Sequence, residues 1–177
     1  MCDHSPLDEK QCAVKLGLGS FGKNRVIINE KYGSYVFIGA IFTDVFLGEI
    51  QGIAQSNGKN RICINCRKCI ESCPTFLSGN GECISALTQK KALSDIELDI
   101  ISQQRCVWGC DICQEVCPAN VGISQTPIKF FHQNRLPHVT CEVISQMSPQ
   151  DFSMRSYGWR KKETILRNLE NSKTGKQ

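Results

Sequence analysis

A chain of 177 residues and 19.8 kDa holds one modest core or two small subdomains rather than a string of large ones. Twelve cysteines in a secreted chain would suggest a disulfide framework, but MCDHSPLDEK has no basic start followed by an apolar run, so a cytoplasmic location and metal-bound thiols are expected. The net charge of +4 is uneven: seven Lys and Arg against two Glu give residues 153 to 177 a charge of +5, a basic end suited to phosphate or to a solvated helix face.

Ser5-Pro6-Leu7-Asp8 carries the signature of a helix start, with a hydroxyl cap, Pro at the first position and an acid soon after, and the helix is expected to run to about Leu16. LGLGSFGKN then places three glycines within six residues, RVIIN reads as a strand, EKYGS as a turn and YVFIGAIFTDV as a buried strand, so the first third is expected to be mixed α/β. The run YVFIGAIF is far shorter than the roughly 20 residues that cross a bilayer, so no membrane partner is expected. QGIAQSNGKN is a polar linker. Beyond it CISALTQKKAL and SDIELDIISQQ have helical character. After Pro118 the chain is expected to be loose until Ser148-Pro149-Gln150-Asp151, a second helix start, and RKKETILRNLE should form an amphipathic helix with Ile165, Leu166 and Leu169 on one side.

Gly17-Leu18-Gly19-Ser20-Phe21-Gly22 matches a dinucleotide fingerprint, but such a site needs the motif between a strand and a helix, and here a helix precedes and a strand follows. A tight glycine turn that lets a large ligand or another backbone approach closely fits better.

The cysteines carry the chemistry. Cys63, Cys66, Cys69 and Cys73, followed by Pro74, have the spacing of a two-cluster ferredoxin, in which three thiolates wrap one cluster and the fourth reaches a second. Structural zinc sites use paired C-x-x-C units that close one tetrahedron, and this continuous run would leave thiolates unused. Cys110, Cys113 and Cys117-Pro118 end with the same signature, so Cys117 is expected to complete the cluster of Cys63, Cys66 and Cys69. Cys73 then joins Cys110, Cys113 and one more thiol. Cys106 and Cys83 are both candidates, and spacing alone favours neither.

In the stretches DHSPLDEKQCAVKLGLGSFGKN, YGSYVFIGAIFTD, CINCRKCIESCPT, ECISALT, GCDICQEVCPAN and WRKKETILRNL the chain resembles the epoxyqueuosine reductase family, cobalamin and double 4Fe-4S enzymes that make queuosine in tRNA and are related to reductive dehalogenases. The resemblance implies an α+β fold, with a partial corrin-binding subdomain at residues 1–58, a double-cluster ferredoxin-like subdomain at 59–125 and a basic helical segment at 126–177. It makes Cys83 the eighth ligand, with Cys73, Cys110 and Cys113, and leaves Cys106 spare. It implies Asp3 as proton donor and Ser85 between cluster and corrin. Gly19 and Lys23 would lie at the corrin, although Lys23 also reads as a solvated lysine.

The implied function is electron delivery through two 4Fe-4S clusters to cobalamin, reducing epoxyqueuosine in tRNA. The implied partners are tRNA and an electron donor such as a flavodoxin or ferredoxin. Because the family carries a large segment before the D-x-S-P motif, the resemblance also implies an N-terminally truncated chain: a fragment, a decayed gene product, or half of a split enzyme whose missing half a further chain supplies. The rival readings are a plain electron carrier, a cobalamin-dependent reductase of another substrate such as an organohalide, and a zinc nucleic-acid module. Cys2, Cys12 and Cys141 read as free or buried thiols, His4 beside Asp3 as an exposed terminal residue or a ligand contact, and His132 and His138 as isolated structural residues.

Overall fold

The computed structural model describes residues 6–45, 62–79 and 81–172; Asp3, His4 and the linker at 51–60 lie outside them. The regular structure of the described residues is mainly helical with one two-stranded sheet, and they fall into two compact units, each built from two separate segments of the chain. One takes the residues up to Ser72 together with Ile112–Pro127, the other Cys73–Asp111 together with the chain from Ile128. None of the described helices is long and apolar enough to cross a membrane.

In the first unit, helix α1 spans Glu9–Lys15. Its cap is Asp8, whose carboxylate accepts the Gln11 N–H at 2.9 Å and satisfies a donor that the first turn leaves open; the expected hydroxyl cap, Ser5, lies outside the described residues. The helix stops where Gly17 takes a left-handed φ of 73°, with Leu18 N–H returning to the Ala13 carbonyl and Gly17 N–H to that of Val14. Strand β1, Ser20–Phe21, then pairs antiparallel with β2, Ile27–Ile28, placing Ser20 opposite Ile28 and Phe21 opposite Ile27. A Cβ on Gly19 would lie 2.5 Å from the Ile28 carbonyl oxygen, so the second motif glycine is required by backbone packing inside the chain.

The expected turn after RVIIN is present. Asn29 donates its N–H to the Gly33 carbonyl, and its side-chain oxygen accepts from Lys31 and Tyr32 at 2.9 and 3.1 Å. The expected buried strand that follows is not. Residues 35–43 have no regular structure, and Phe37 and Ile41 are 95% and 96% exposed. A strand pattern forms a strand only where a neighbouring edge offers hydrogen bonds, and the single sheet among the described residues is two residues wide. Helices α2, Lys68–Glu71, and α5, Ile112–Glu115, pack together and complete this unit.

The second unit is helical. Helix α3, Ile84–Gln89, starts from Cys83, and α4, Asp95–Ser102, starts from a capping box in which Ser94 and Glu97 satisfy each other's backbone N–H groups. The stretch expected to be loose before Ser148 contains α6, Cys141–Gln146, capped by the Thr140 hydroxyl on Val143 N–H. Six residues carry too short an apolar period to stand out in sequence; Ile144, fully buried, holds α6 to the core. Helix α7, Pro149–Ser153, begins at Ser148 as expected, and α8, Lys162–Asn171, is the amphipathic C-terminal helix.

Ile165 and Leu169 of α8 are fully buried with Ile144, Phe152 and Tyr157, and Leu166 packs at the edge. Each fully buried aliphatic side chain here contributes about 1.5–3 kcal/mol. Trp108 sits against this core, edge to face with Tyr157 at 6.2 Å and with Trp159 at 5.7 Å.

Candidate iron-sulfur centres

Four thiols converge in the first unit. Cys63, Cys66, Cys69 and Cys117 line one cavity of about 160 Å³. The loop from Cys63 to Cys69 curls because Asn65 and Arg67 both take left-handed backbone angles, φ 61° and 63°. Such angles cost non-glycine residues energy and persist where the surroundings demand them. Here they turn the chain twice within five residues, bringing three thiols to one side. Cys117 arrives from the far end of α5, where Pro118 opens a 3-10 turn over Pro118–Asn120.

This cavity fits a cluster in its donor set and its electrostatics. Burial pushes the Cys69 thiol above its ordinary value, and repulsion from Cys117, Cys63 and Cys66 pushes it the same way, in that order. Four thiolates in such proximity repel one another until a cationic iron core neutralises them. Among the described residues no three His, Cys, Asp or Glu side chains close on a point tight enough for a single metal ion, whereas these four ring a larger space.

The glycine loop of the first third borders the same cavity. Gly22, Lys23, Asn24 and Ile28 are among its walls, and Lys23 also lines an adjoining hollow with Cys63 and Asn65. Asn24, 8% exposed, donates to the Cys113 carbonyl at 3.5 Å, and Ser20 Oγ accepts from Ile62 N–H at 3.3 Å. One further residue, unremarked in the sequence, fixes this arrangement. Asn120 accepts the Ser34 N–H at 2.8 Å and donates to the Gln114 carbonyl at 2.7 Å and to Ser34 Oγ at 2.8 Å. Its position just beyond Cys117-Pro118 was the available signal, but an Asn in a polar loop does not reveal a partner 86 residues away.

Of the other four expected ligands, Cys113 lies in the first unit and Cys73, Cys83 and Cys110 in the second. Cys73 Sγ accepts the Leu77 N–H at 3.4 Å. Cys83 heads α3 with no side-chain capping bond, leaving its sulfur uncommitted to the helix end. Ser85, two residues on, accepts from Gln89 through both its carbonyl, at 2.9 Å, and its hydroxyl, at 3.4 Å. Cys110 is positioned by the preceding turn: Gly109, φ 69°, donates its N–H to Thr88 Oγ1 at 3.1 Å. The Cys106 thiol hydrogen-bonds to Cys110, and that bond, reinforced by burial, pushes its titration far upward. Gly19 is turned into β-strand packing, as described above.

Residues 62–120 match the family model of the 4Fe-4S double cluster binding domain. The chain is similar to the epoxyqueuosine reductase of Lactococcus garvieae, 30% identical across 96% of this chain and 49% of that protein, and to that of Synechocystis, 36% identical across 70% and 43%. Two solved structures share the fold. One, of an epoxyqueuosine reductase with an epoxyqueuosine-modified tRNA-Tyr stem loop, has a TM-score of 0.65 at 27% identity, covering 95% of this chain and 46% of that one. The other, from Streptococcus thermophilus, has a TM-score of 0.63 at 28% identity, covering 97% and 47%. The chain spans about half the length of the relatives it matches.

Proposed function

We propose that this chain, a relative of the epoxyqueuosine reductases over about half their length, is an iron-sulfur oxidoreductase that passes electrons through two 4Fe-4S clusters to cobalamin for the reduction of epoxyqueuosine in tRNA. The observation that carries the reading is the convergence of Cys63, Cys66, Cys69 and Cys117 on one cavity that the Gly22-Lys23-Asn24 loop also lines. A cluster held by those thiols would share that cavity with the loop that the family resemblance assigns to the corrin.

In this reading Cys73, Cys83, Cys110 and Cys113 hold the second cluster, and Cys106 is a protonated thiol that donates to Cys110. A hydrogen bond to a ligand sulfur is one of the determinants of cluster potential. The clusters supply one-electron transfer, and cobalamin, when bound, supplies a cobalt centre reducible enough to pass electrons to a carbon–oxygen bond. Lys23 offers an ammonium to a polar side chain of the corrin, and Ser85 a hydroxyl close to the Cys83 ligand. Asp3 donates a proton to the leaving oxygen, which requires a carboxyl kept protonated near neutral pH by desolvation. The tRNA and an electron donor such as a flavodoxin or ferredoxin are the partners.

A second reading, an electron carrier with no catalysis of its own, is favoured by the extent of the double-cluster match, which covers residues 62–120 and none of the glycine loop. Titration of the anaerobically reconstituted chain with cob(II)alamin, followed by EPR, separates the two. A bound, base-off cobalt signal is expected; an unaltered free-cobalamin signal beside two intact clusters would leave the carrier.

A further inference from the structure

The second unit contains a cavity of about 780 Å³ to which none of the cysteines contributes. Its size is that of sites that enclose drug-sized ligands. On one side stand Phe130 and Phe131, edge to face at 5.7 Å and 59% and 48% exposed, an unusual outlay of aromatic surface. Arg135 and Arg155 bring two guanidinium groups to the same cavity. Asp151 is the one carboxylate among the described residues lining it, and its Oδ2 already accepts from the Ser148 hydroxyl at 2.7 Å.

Arg155 donates through Nη1 to the Asn134 carbonyl, which holds its guanidinium in place at the cavity wall. Arg135 is exposed and free to move onto a bound anion. A purely apolar ligand would leave the two guanidinium groups unused, and a bare anion would leave Phe130 and Phe131 in water.

The geometry points to a nucleotide site, in which a base stacks on Phe130 or Phe131 while Arg135 and Arg155 hold the phosphate oxygens. Stacking on aromatic rings beside arginines is the way proteins engage unpaired bases. The same chemistry is presented by a free mononucleotide and by an unpaired nucleotide of an RNA; the RNA source rests on the tRNA reading above, whereas the site itself does not.

The reconstituted chain is titrated against a fluorescently labelled RNA hairpin with an unpaired loop, followed by anisotropy, and against AMP, followed by calorimetry. Phe130→Ala and Arg135→Gln alter exposed side chains and leave the core untouched. Phe130→Ala is expected to weaken hairpin binding about 5- to 100-fold. Arg135→Gln should lower the slope of log K against log salt by about 1. Iron content and visible absorption should be unchanged in both. A wild-type chain that binds neither probe overturns the site. Hairpin binding that is indifferent to both substitutions also overturns it, while leaving the tRNA reading standing. AMP binding that the substitutions weaken, with no preference for the hairpin, upholds the site with a free nucleotide as its occupant and counts against the tRNA reading alone.

Discussion

Asn168, fully buried in α8, donates its side-chain amide to the Thr88 carbonyl at 2.7 Å, and the same amide nitrogen reaches the Val107 carbonyl at 2.9 Å. Thr88 in turn holds the Gly109 N–H that positions Cys110. One C-terminal side chain thus ties the end of α3, which begins at Cys83, to the loop that presents Cys110. Its own oxygen is held by the Arg167 guanidinium at 2.8 Å, so every polar atom of the group is engaged.

Replacing Asn168 by Ala strands the Thr88 and Val107 carbonyls in a buried setting, at a cost of about 2–4 kcal/mol. The expected outcome is a lower thermal midpoint by circular dichroism together with faster loss of iron. Stability equal to that of the parent chain would mean that water replaces the amide and that the link carries no energy.

The ligand assignment separates Cys83 from Cys106. Cys83→Ser should retain about four irons per chain, and Cys106→Ser about eight. Iron and sulfide analysis after anaerobic reconstitution gives the answer, and the reverse pattern would move the eighth ligand to Cys106. In the Cys106→Ser protein the hydrogen bond to Cys110 is altered, so the midpoint potential of one cluster should shift while the other stays put.

For Asp3→Ala, reduction of bound cobalamin should proceed as in the parent chain, because no proton is delivered in that step. Turnover of epoxyqueuosine RNA should fall about 10²- to 10⁴-fold. Equal losses in both measurements would assign Asp3 to cobalamin binding instead.

Lys90 lies 2.5 Å from Glu82 and 2.6 Å from Glu97, and Glu97 also accepts from the Ser94 backbone N–H at 2.8 Å. The Lys90 ammonium first, and the Ser94 donors next, pull the Glu97 carboxyl down to about 2. A folded value below the unfolded one stabilises the chain above the unfolded value near 4.5, and the gain fades as pH falls from there through about 2. Lys90 is shifted upward by Glu82 and then Glu97, so its contribution is complete below its ordinary value of 10.5 and fades as pH rises through the higher folded value. The pair is exposed enough for salt to screen it. Glu97→Gln should remove part of the acid dependence of the melting temperature between pH 4.5 and 2, measured on the cluster-free chain against the parent under identical conditions; coincident acid limbs would assign that dependence to other carboxylates.

The sequence by itself determined whatever depends on local spacing. Cys63, Cys66, Cys69 and Cys73 announced a cluster loop because ligand geometry imposes short, fixed intervals on the chain, and Ser148 with Pro149 announced a helix start because a cap acts within one turn. Tertiary structure decided what depends on distant partners. YVFIGAIFTDV has the composition of a buried strand, yet Phe37 and Ile41 are exposed because no described edge pairs with that segment. Asn120 on Ser34, Asn168 on Thr88 and the unpaired hydroxyl of Tyr157 are equally invisible in sequence. Polar side chains take their meaning from the acceptor they meet, and that meeting is set by the folding of residues 80 or more positions apart.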